Sequence, residues 1–422
     1  MLRTSANPSR VLVVDDSEMS RDLFSRRLRR QGHAVSLAEN GRLALDMIRR
    51  DEFDLVLLDT VMPEINGFDL LARLKADEFL RHLPVIMISA IEDIDGVVRC
   101  LEMGADDFLP KPCDPVVLRA RVESALEKKR LRDGERLRAR SLERDLEIGR
   151  EIQEGFIPDV LPTADGWEIA ARFQPARQVA GDFYDAFKLG GTDRIGIVIA
   201  DVCGKGVGAA LFMAICRTLI HAIADRFAEE PRARRVSGLF APDPASMGPS
   251  GVGASTACLY HAVGATNDYI ARTHGNANMF ATLFFAAVDP STGLVLYVNA
   301  GHEPPVLMRG GEAPLRLDPT GPALGLAADA TFTVGTARLM PGDALVMFTD
   351  GITEARSPAG ELLGDDRVQR LCAQSAPSAE AILDRLSFAV QQHVQGGEQF
   401  DDIAMLVVRR VPNSGGSTGP HA

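Results

Sequence analysis

Between Arg10 and about Leu126 a short apolar run followed by an amphipathic stretch recurs along the chain. VLVV precedes Ser17 to Arg30, AVSLA precedes Gly41 to Arg50, DLVLL precedes Gly67 to Leu74, PVIMIS precedes Ile91 to Met103, and DFLP precedes Pro115 onward. Short continuous apolar runs read as strands buried on both faces, and amphipathic stretches as the helices that cover them. The alternation therefore predicts a doubly wound α/β domain with a parallel five-stranded sheet. In such sheets ligands gather beyond the carboxyl ends of the strands. Asp15 and Asp16 end the first run, Asp59 the third and Ser89 the fourth, while Lys111 follows the fifth, so all of them fall at one edge. Carboxylates with a hydroxyl and an ammonium suit one Mg²⁺ and an arriving phosphoryl group, whose charge metal and Lys would neutralise. Asp59 is the candidate nucleophile, since a carboxylate can form an aspartyl phosphate. Each residue alone has a plain structural explanation, such as Ser17 as a helix cap or Lys111 as a solvated charge. Their joint order is what carries the chemistry.

The remaining length decides how many such units fit. At 422 residues the chain accommodates two or three domains, each able to bury its own core. A net charge of −12 argues against broad nucleic-acid binding, and no basic recognition helix follows the first unit. The cysteines Cys100, Cys113, Cys203, Cys216, Cys258 and Cys372 show no CxxC spacing and sit mostly in apolar stretches, as reduced thiols do. The start MLRTSANPSR has no apolar signal core, and no uncharged apolar run approaches the roughly 20 residues of a spanning helix. These features predict a cytoplasmic protein with no membrane contact.

From Glu127 to Pro158 the composition shifts to Arg, Glu and Leu, with Leu131, Leu137, Leu142, Leu146, Ile152 and Phe156 at mixed helical spacings. This predicts a linker helix with an apolar stripe, suited to a homodimer, weakened at Gly134 and ended by Pro158. Beyond it strand-like runs dominate: WEIAARF, RIGIVIAD, MFATLFFAAVD, LVLYVNA, PPVLM, ALVMFTD and IAMLVVRR. Helical stretches lie at Gly208 to Arg226, Ser255 to Arg272 and Ser378 to His393. Strands grouped apart from helices indicate an α+β layered domain, and DPSTG between Val288 and Leu294 reads as a hairpin turn. Glu229 to Ala254 has loop composition, and the tail 412–422 is expected to be disordered.

In this second half Asp182, Asp201, Asp350 and Asp401 each sit at the edge of a strand-like run. Hard oxygen ligands on separate strands suit Mg²⁺ or Mn²⁺, and two such ions can activate a water for attack on a phosphate ester. Asp402 is an alternative to Asp401, because spacing does not separate neighbours. Arg177, just before Asp182, is a candidate phosphate contact. Asn299 and His302 read as support for the turn and the site. Cys113 to Arg119 fits C-x5-R but lacks the glycines of a phosphate cradle. Gly204 to Ala209 resembles a dinucleotide loop but has no βαβ continuation.

The motifs reach two resemblances. VLVVDDS, LVLLDTVMPEINGFDLL, VIMISA and GADDFLPKP resemble the response-regulator receiver domain and cover the whole first unit, 10–126. That resemblance implies a CheY-like fold and one Mg²⁺ on Asp15, Asp16, Asp59 and the Val61 carbonyl. It also implies phosphorylation of Asp59 by a histidine kinase or phosphotransfer protein, a Ser89 and Phe108 switch pair, Lys111 on the phosphoryl group, and a cis Lys111-Pro112 bond. RQVAGDFYDAF, IADVCGKGVGAALFMA, MFATLFFAAVDPSTGLVLYVNAGHEPPVL, FTDGITEA and DDIAMLVV, with the helix end EIGREIQEGFIP, are similar to the metal-dependent PPM Ser/Thr phosphatases of the bacterial SpoIIE type. This implies an αββα sandwich over 159–411 with two Mn²⁺ or Mg²⁺ ions. Asp201 would bridge both ions, the Val202 carbonyl, Asp350 and Asp401 would complete the set, and Asp182 would act directly or through water. Ala180, Cys203 and Ala404 depart from that family's pattern, and the hydroxyl missing at Ala404 predicts a looser Asp401.

Together these resemblances imply a two-component response regulator with a metal-dependent protein serine/threonine phosphatase as its output, gated by Asp59 through the 127–158 helix. The implied substrate is a phosphoserine anti-sigma-factor antagonist of the STAS type. The rival expectation is a phosphatase-like adaptor that grips its partner without turnover.

Overall fold

Alternation of strand and helix in the first third of the chain becomes one parallel sheet. The computed structural model describes residues 8–90, 94–229, 252–275, 279–310, 312–397 and 399–412. The chain divides into two compact units, Met1–Glu143 and Arg144–Ala422. In the first, β1 (Arg10–Val14), β2 (Ala34–Ala38), β3 (Leu55–Asp59), β4 (Val85–Ala90) and β5 (Asp107–Lys111) pair in parallel in the order β2-β1-β3-β4-β5. Between them run α1 (Glu18–Arg30), α2 (Gly41–Arg50), α3 (Gly67–Ala76) and α4 (Ile94–Glu102). The predicted start of α4 at Ile91 lies outside the described residues. Ser17, Asn40 and Asn66 cap the first three helices through their side chains, which sets where each begins. Strand residues divide by parity: Leu12, Val14, Val56, Leu58 and Met87 pack in one core, and Val11, Val13, Leu57, Ile86 and Ile88 in the other.

Helix α5 (Pro115–Glu154) runs unbroken for 40 residues, so the last helix of the first unit and the expected linker are one element. Gly134 costs about 1 kcal/mol of helix propensity but does not interrupt it. The helix ends at Glu154, ahead of Gly155, rather than at Pro158; Phe156 N–H then donates to the Gln153 carbonyl at 2.9 Å. Leu131, Leu137, Leu142, Ile148 and Ile152 are exposed along it.

The second unit contains two five-stranded sheets. One holds β7 (Phe183–Lys188), β8 (Ile195–Val202), β9 (Ala281–Val288), β10 (Leu294–Ala300) and β13 (Gly335–Arg338), in the order β13-β10-β9-β8-β7. The other holds β6 (Trp167–Gln174), β11 (Val306–Met308), β12 (Leu315–Arg316), β14 (Ala344–Phe348) and β15 (Ile403–Arg410), in the order β12-β11-β14-β15-β6. Their pairings are antiparallel, and β9 and β10 form the hairpin that DPSTG predicted. Helices α6 (Val207–Glu229) and α7 (Val252–His274) cover the first sheet; α8 (Asp365–Cys372) and α9 (Ala379–Val394) cover the second. The αββα order follows from parity again. Ile195, Ile197 and Ile199 face the other sheet, whereas Val198, Ala200 and Val202 face α6 and α7.

One expectation needs correction here. Helix α6 extends to Glu229 and α7 begins at Val252, so the expected loop is shorter than Glu229 to Ala254; 230–251 and the tail 413–422 lie outside the described residues. The stretch Val207–Arg226 is long and apolar enough to cross a membrane by length and composition. One of its faces, with Phe212, Met213, Cys216 and Ile220, is packed in the core of the second unit, as in a core helix.

Candidate functional site

In the first unit the strand ends bring the expected residues together. Asp15, Asp16 and Asp59 offer ligand oxygens that all lie within 4.8 Å of one another, among the described residues the one acidic group this tight. Lys111 Nζ sits 2.8 Å from Asp15 Oδ2 and 2.8 Å from Asp59 Oδ2. Asp15 is held further by the Ser17 N–H on Oδ1 at 2.9 Å. Burial raises the Asp59 carboxyl above its ordinary value against the opposing pull of Lys111. Burial lowers the Lys111 ammonium, but its bonds to Asp15 and Asp59 outweigh this and raise it overall. Ser89 is buried at the end of β4, and the Lys111-Pro112 bond is cis. Val61 is exposed in the loop after β3. An all-oxygen set beside a fixed ammonium fits a hard divalent cation and a phosphoryl group.

In the second unit the pleat explains why four distant aspartates converge. Asp201 alternates with Ile199 on the face turned toward the other sheet, and its cross-strand neighbour is Thr282. Asp182 stands two residues before the inward-facing Tyr184; Asp350 follows β14 and Asp401 precedes β15, the strand paired with β14. The acids thus gather at one mouth of the gap between the sheets. Burial, then the charge of Asp201, raises the Asp182 carboxyl far above its ordinary value, and the two acids share a hydrogen bond. Asp201 is itself raised by burial. Asp350 is pushed up to about 7 by burial, then by Asp201, Glu354 and Asp401. Asp182 Oδ2 is buried with no hydrogen-bond partner. Such an orphaned oxygen among carboxylates that resist losing protons is what a hard cation satisfies, so these residues fit divalent ions.

Both carboxylate oxygens of Asp402 already accept backbone N–H groups. Its Oδ1 accepts from Ala176 N–H and its Oδ2 from Gly181 N–H, each at 2.8 Å, so it ties the loop before Asp182 to the start of β15. Asp401 keeps its carboxylate toward Lys205, whose Nζ lies 2.9 Å from Oδ2. A Cβ at Gly181 would meet the Val202 carbonyl at 2.8 Å, and one at Gly351 would meet the Asp402 carbonyl at 1.9 Å. Only glycine permits these approaches, and the first brings the Val202 carbonyl against the Asp182 segment.

The departures at Ala180, Cys203 and Ala404 each have a local replacement. Ala180 N–H donates to Gln153 Oε1 at 2.9 Å, and Gln153 Nε2 donates to the Ala180 carbonyl at 2.6 Å. Cys203 Sγ accepts from Phe280 N–H at 3.2 Å. At Ala404 the missing hydroxyl comes from Thr349: its Oγ1 accepts from Ala404 N–H at 2.9 Å and its hydroxyl bonds the Asp182 carboxylate. Sequence reasoning missed Thr349, although it directly precedes Asp350 in FTDG. His302 is buried, its Nδ1 lies 2.8 Å from Thr282 Oγ1, and burial pulls its pKa down to about 4. It supports the strand beside Asp201 as a neutral ring, without the second ring proton that an imidazolium would offer as an acid near pH 7. Asn299 Oδ1 accepts from His302 N–H at 2.8 Å, as support for the turn required. Arg177 is exposed and makes no ion pair with the acids.

Comparison with known proteins fits both halves. Residues 191–411 match the family described as Stage II sporulation protein E (SpoIIE), and residues 11–123 match the response regulator receiver domain. Protein IcfG of Synechocystis sp. is 42% identical over 266 residues, 63% of this chain and 41% of that protein. Response regulator PleD of Caulobacter vibrioides is 44% identical over 116 residues, 28% of this chain and 26% of its own. The chain thus spans less than half of either relative. The SiaA-PP2C domain of Pseudomonas aeruginosa shares the fold at a TM-score of 0.50 and 18% identity, covering 64% of this chain and 98% of that one.

Proposed function

For a chain that belongs to the SpoIIE family of PPM phosphatase domains and carries a response-regulator receiver domain, we propose the role of a phosphorylation-gated protein serine/threonine phosphatase. The observation that carries the reading is the convergence of Asp182, Asp201 and Asp350 with an orphaned carboxylate oxygen at the mouth of the sandwich. Two divalent ions there, Mn²⁺ or Mg²⁺, would activate water and neutralise the phosphoryl charge. Asp201 would bridge them, with Asp182, Asp350, Asp401 and the Val202 carbonyl around it. Thr349 and Asp402 would orient that set through the bonds described above. No protein nucleophile is required.

In the receiver, Asp15, Asp16, Asp59 and the Val61 carbonyl would hold Mg²⁺, and Lys111 would neutralise the phosphoryl group passed to Asp59 by a histidine kinase or phosphotransfer protein. The output would be switched by the helix end Glu147 to Phe156. Gln153 grips both polar atoms of the Ala180 backbone, two residues before Asp182, so a shift of this turn would move a ligand. Exposed Leu131, Leu137, Leu142, Ile148 and Ile152 suit a homodimer through the same helix. The substrate class we assign is a phosphoserine anti-sigma-factor antagonist of the STAS type. Thr349 Oγ1 accepts from Ala404 N–H and so sets a hydroxyl beside that position, which favours the enzyme over the adaptor.

The test is Mn²⁺-dependent hydrolysis of a phosphoserine STAS protein, with and without acetyl phosphate, in wild type, Asp59→Ala and Asp201→Ala. Turnover that needs Asp201 and shifts with acetyl phosphate only when Asp59 is present is the expected result. Partner binding without turnover in either receiver state returns the adaptor.

A further inference from the structure

The rim beside Asp401 carries an arrangement that ion binding leaves unexplained. Phe400 is 48% exposed, and two cations rest on its ring: Lys205 Nζ at 4.4 Å and Arg356 Cζ at 4.1 Å from the centroid. Lys205 comes from the glycine-rich turn after β8, and its Nζ also lies 2.8 Å from the Phe400 carbonyl. Arg356 comes from the segment after β14. Val207 and Leu211, one turn apart on α6 just past Lys205, are exposed as well.

A structural explanation covers part of this. Lys205 balances Asp401, and one cation over an exposed ring is weakly attracted to its face. It does not explain why a second cation gathers on the same ring, where like charges repel, or why Val207 and Leu211 stay uncovered just past Lys205. A dianionic phosphate approaching a mouth lined by carboxylates is repelled by them, so cations on the rim are what its entry requires. A guanidinium fork matches phosphoryl oxygens, and an aromatic face holds that fork flat.

Resting on the phosphatase reading above, we infer that Lys205, Arg356 and Phe400 form the rim that receives the phosphorylated serine or threonine of a protein substrate. The two cations meet the phosphoryl oxygens, while Phe400, Val207 and Leu211 cover apolar side chains flanking the phosphorylated residue. Charge complementarity selects this occupant: Asp401 already meets Lys205, whereas Arg356 rests on the Phe400 ring with no carboxylate partner among the described residues.

The test compares the full-length wild type, Arg356→Gln, Arg356→Lys and Phe400→Leu in Mn²⁺, with a short phosphoserine peptide and with p-nitrophenyl phosphate. Arg356→Gln raises KM for the peptide about tenfold at unchanged kcat, the effect of losing one charge-assisted hydrogen bond. Arg356→Lys recovers part of that loss, and Phe400→Leu lowers kcat/KM for the peptide more than for p-nitrophenyl phosphate. An unchanged peptide KM, or a kcat that falls equally for both substrates, overturns the assignment. If wild type hydrolyses neither compound, the phosphatase reading fails by itself, and the rim is judged by calorimetric titration with the phosphopeptide and its unphosphorylated twin. Phosphate-dependent binding that weakens in Arg356→Gln supports the rim; equal binding by wild type and variant overturns it.

Discussion

Replacing Thr349 by valine keeps the shape of a fully buried side chain and removes one oxygen. That oxygen has two bonds: it accepts from Ala404 N–H at 2.9 Å, and its hydroxyl bonds the Asp182 carboxylate. The first loss leaves a buried N–H without a partner and costs the fold about 1–3 kcal/mol. The second removes a hydrogen bond to a charged acceptor, ~1.5–3 kcal/mol, and this falls on the ionised form of Asp182, the form a cation binds. At ~1.4 kcal/mol per tenfold, Mn²⁺ affinity at that site drops by roughly 10- to 100-fold. Calorimetric titration with Mn²⁺ measures the affinity loss, and urea unfolding in chelator measures the stability loss. Thr349→Ser restores the hydroxyl and recovers most of both. The reasoning is refuted if Thr349→Val binds Mn²⁺ within about twofold of wild type, a small fraction of the ~1.4 kcal/mol that a tenfold change requires, while its urea midpoint falls. Thr349 would then serve Ala404 alone.

Asp350 titrates near 7 in the folded chain rather than at its ordinary 3.8, so the folded state holds a proton that the unfolded state has released. Metal-free stability should fall as pH rises from about 4 to 7, while Mn²⁺ affinity should rise over the same window; urea midpoints and titrations across pH check both signs. Gly181→Ala drives a Cβ to 2.8 Å from the Val202 carbonyl and should cost about 1–3 kcal/mol of stability together with Mn²⁺ binding, read by unfolding and calorimetry. Mg²⁺ should raise the melting temperature of wild type, and Asp16→Asn or Asp59→Asn should remove the part of that shift owed to the first unit, measured by differential scanning calorimetry.

The parts of this fold that could be read from the chain are those where a buried strand ends in an acid. Each run named in the first unit became a strand, because a strand covered on both faces needs no polar interruption. Strand β7 was read only at its start, as the strand-like run beside Asp182, and its extent was hidden by a second acid. FYDAFK carries Asp185, which is buried against Arg217 Nε at 3.1 Å and His221 Nδ1 at 2.7 Å, and a buried acid paired across elements looks like a loop residue in sequence. Helix α8 was missed because it is short and opens on two acids, Asp365 and Asp366. The choice between Asp401 and Asp402 rests on the N–H groups of Ala176 and Gly181, more than 200 positions away in the chain, and no local spacing reports such partners. Thr349 and Ala404 are 55 residues apart and compensate only because β14 and β15 pair.

The two acid clusters solve opposite electrostatic problems with the same residue type. In the first unit Lys111 lies between Asp15 and Asp59, so the carboxylates already have a partner, and a single ion with a transient phosphoryl group is the remaining need. In the second, Asp182 and Asp201 share a hydrogen bond under heavy burial, and no cation lies between them. Without metal such a pair holds protons more tightly than free carboxylates do, so ion binding competes with protonation. The positions of these carboxylates are then worth most at the ligand with the least freedom, Asp182, whose segment is pinned by Asp402 on one side and by Gln153 on the other. Gln153→Ala removes the second pin and leaves the first. If the helix end acts through Asp182, that variant should weaken Mn²⁺ binding while leaving p-nitrophenyl phosphate turnover at saturating Mn²⁺ near the wild-type rate. A proportional loss at every Mn²⁺ concentration would instead assign Gln153 to the stability of the fold.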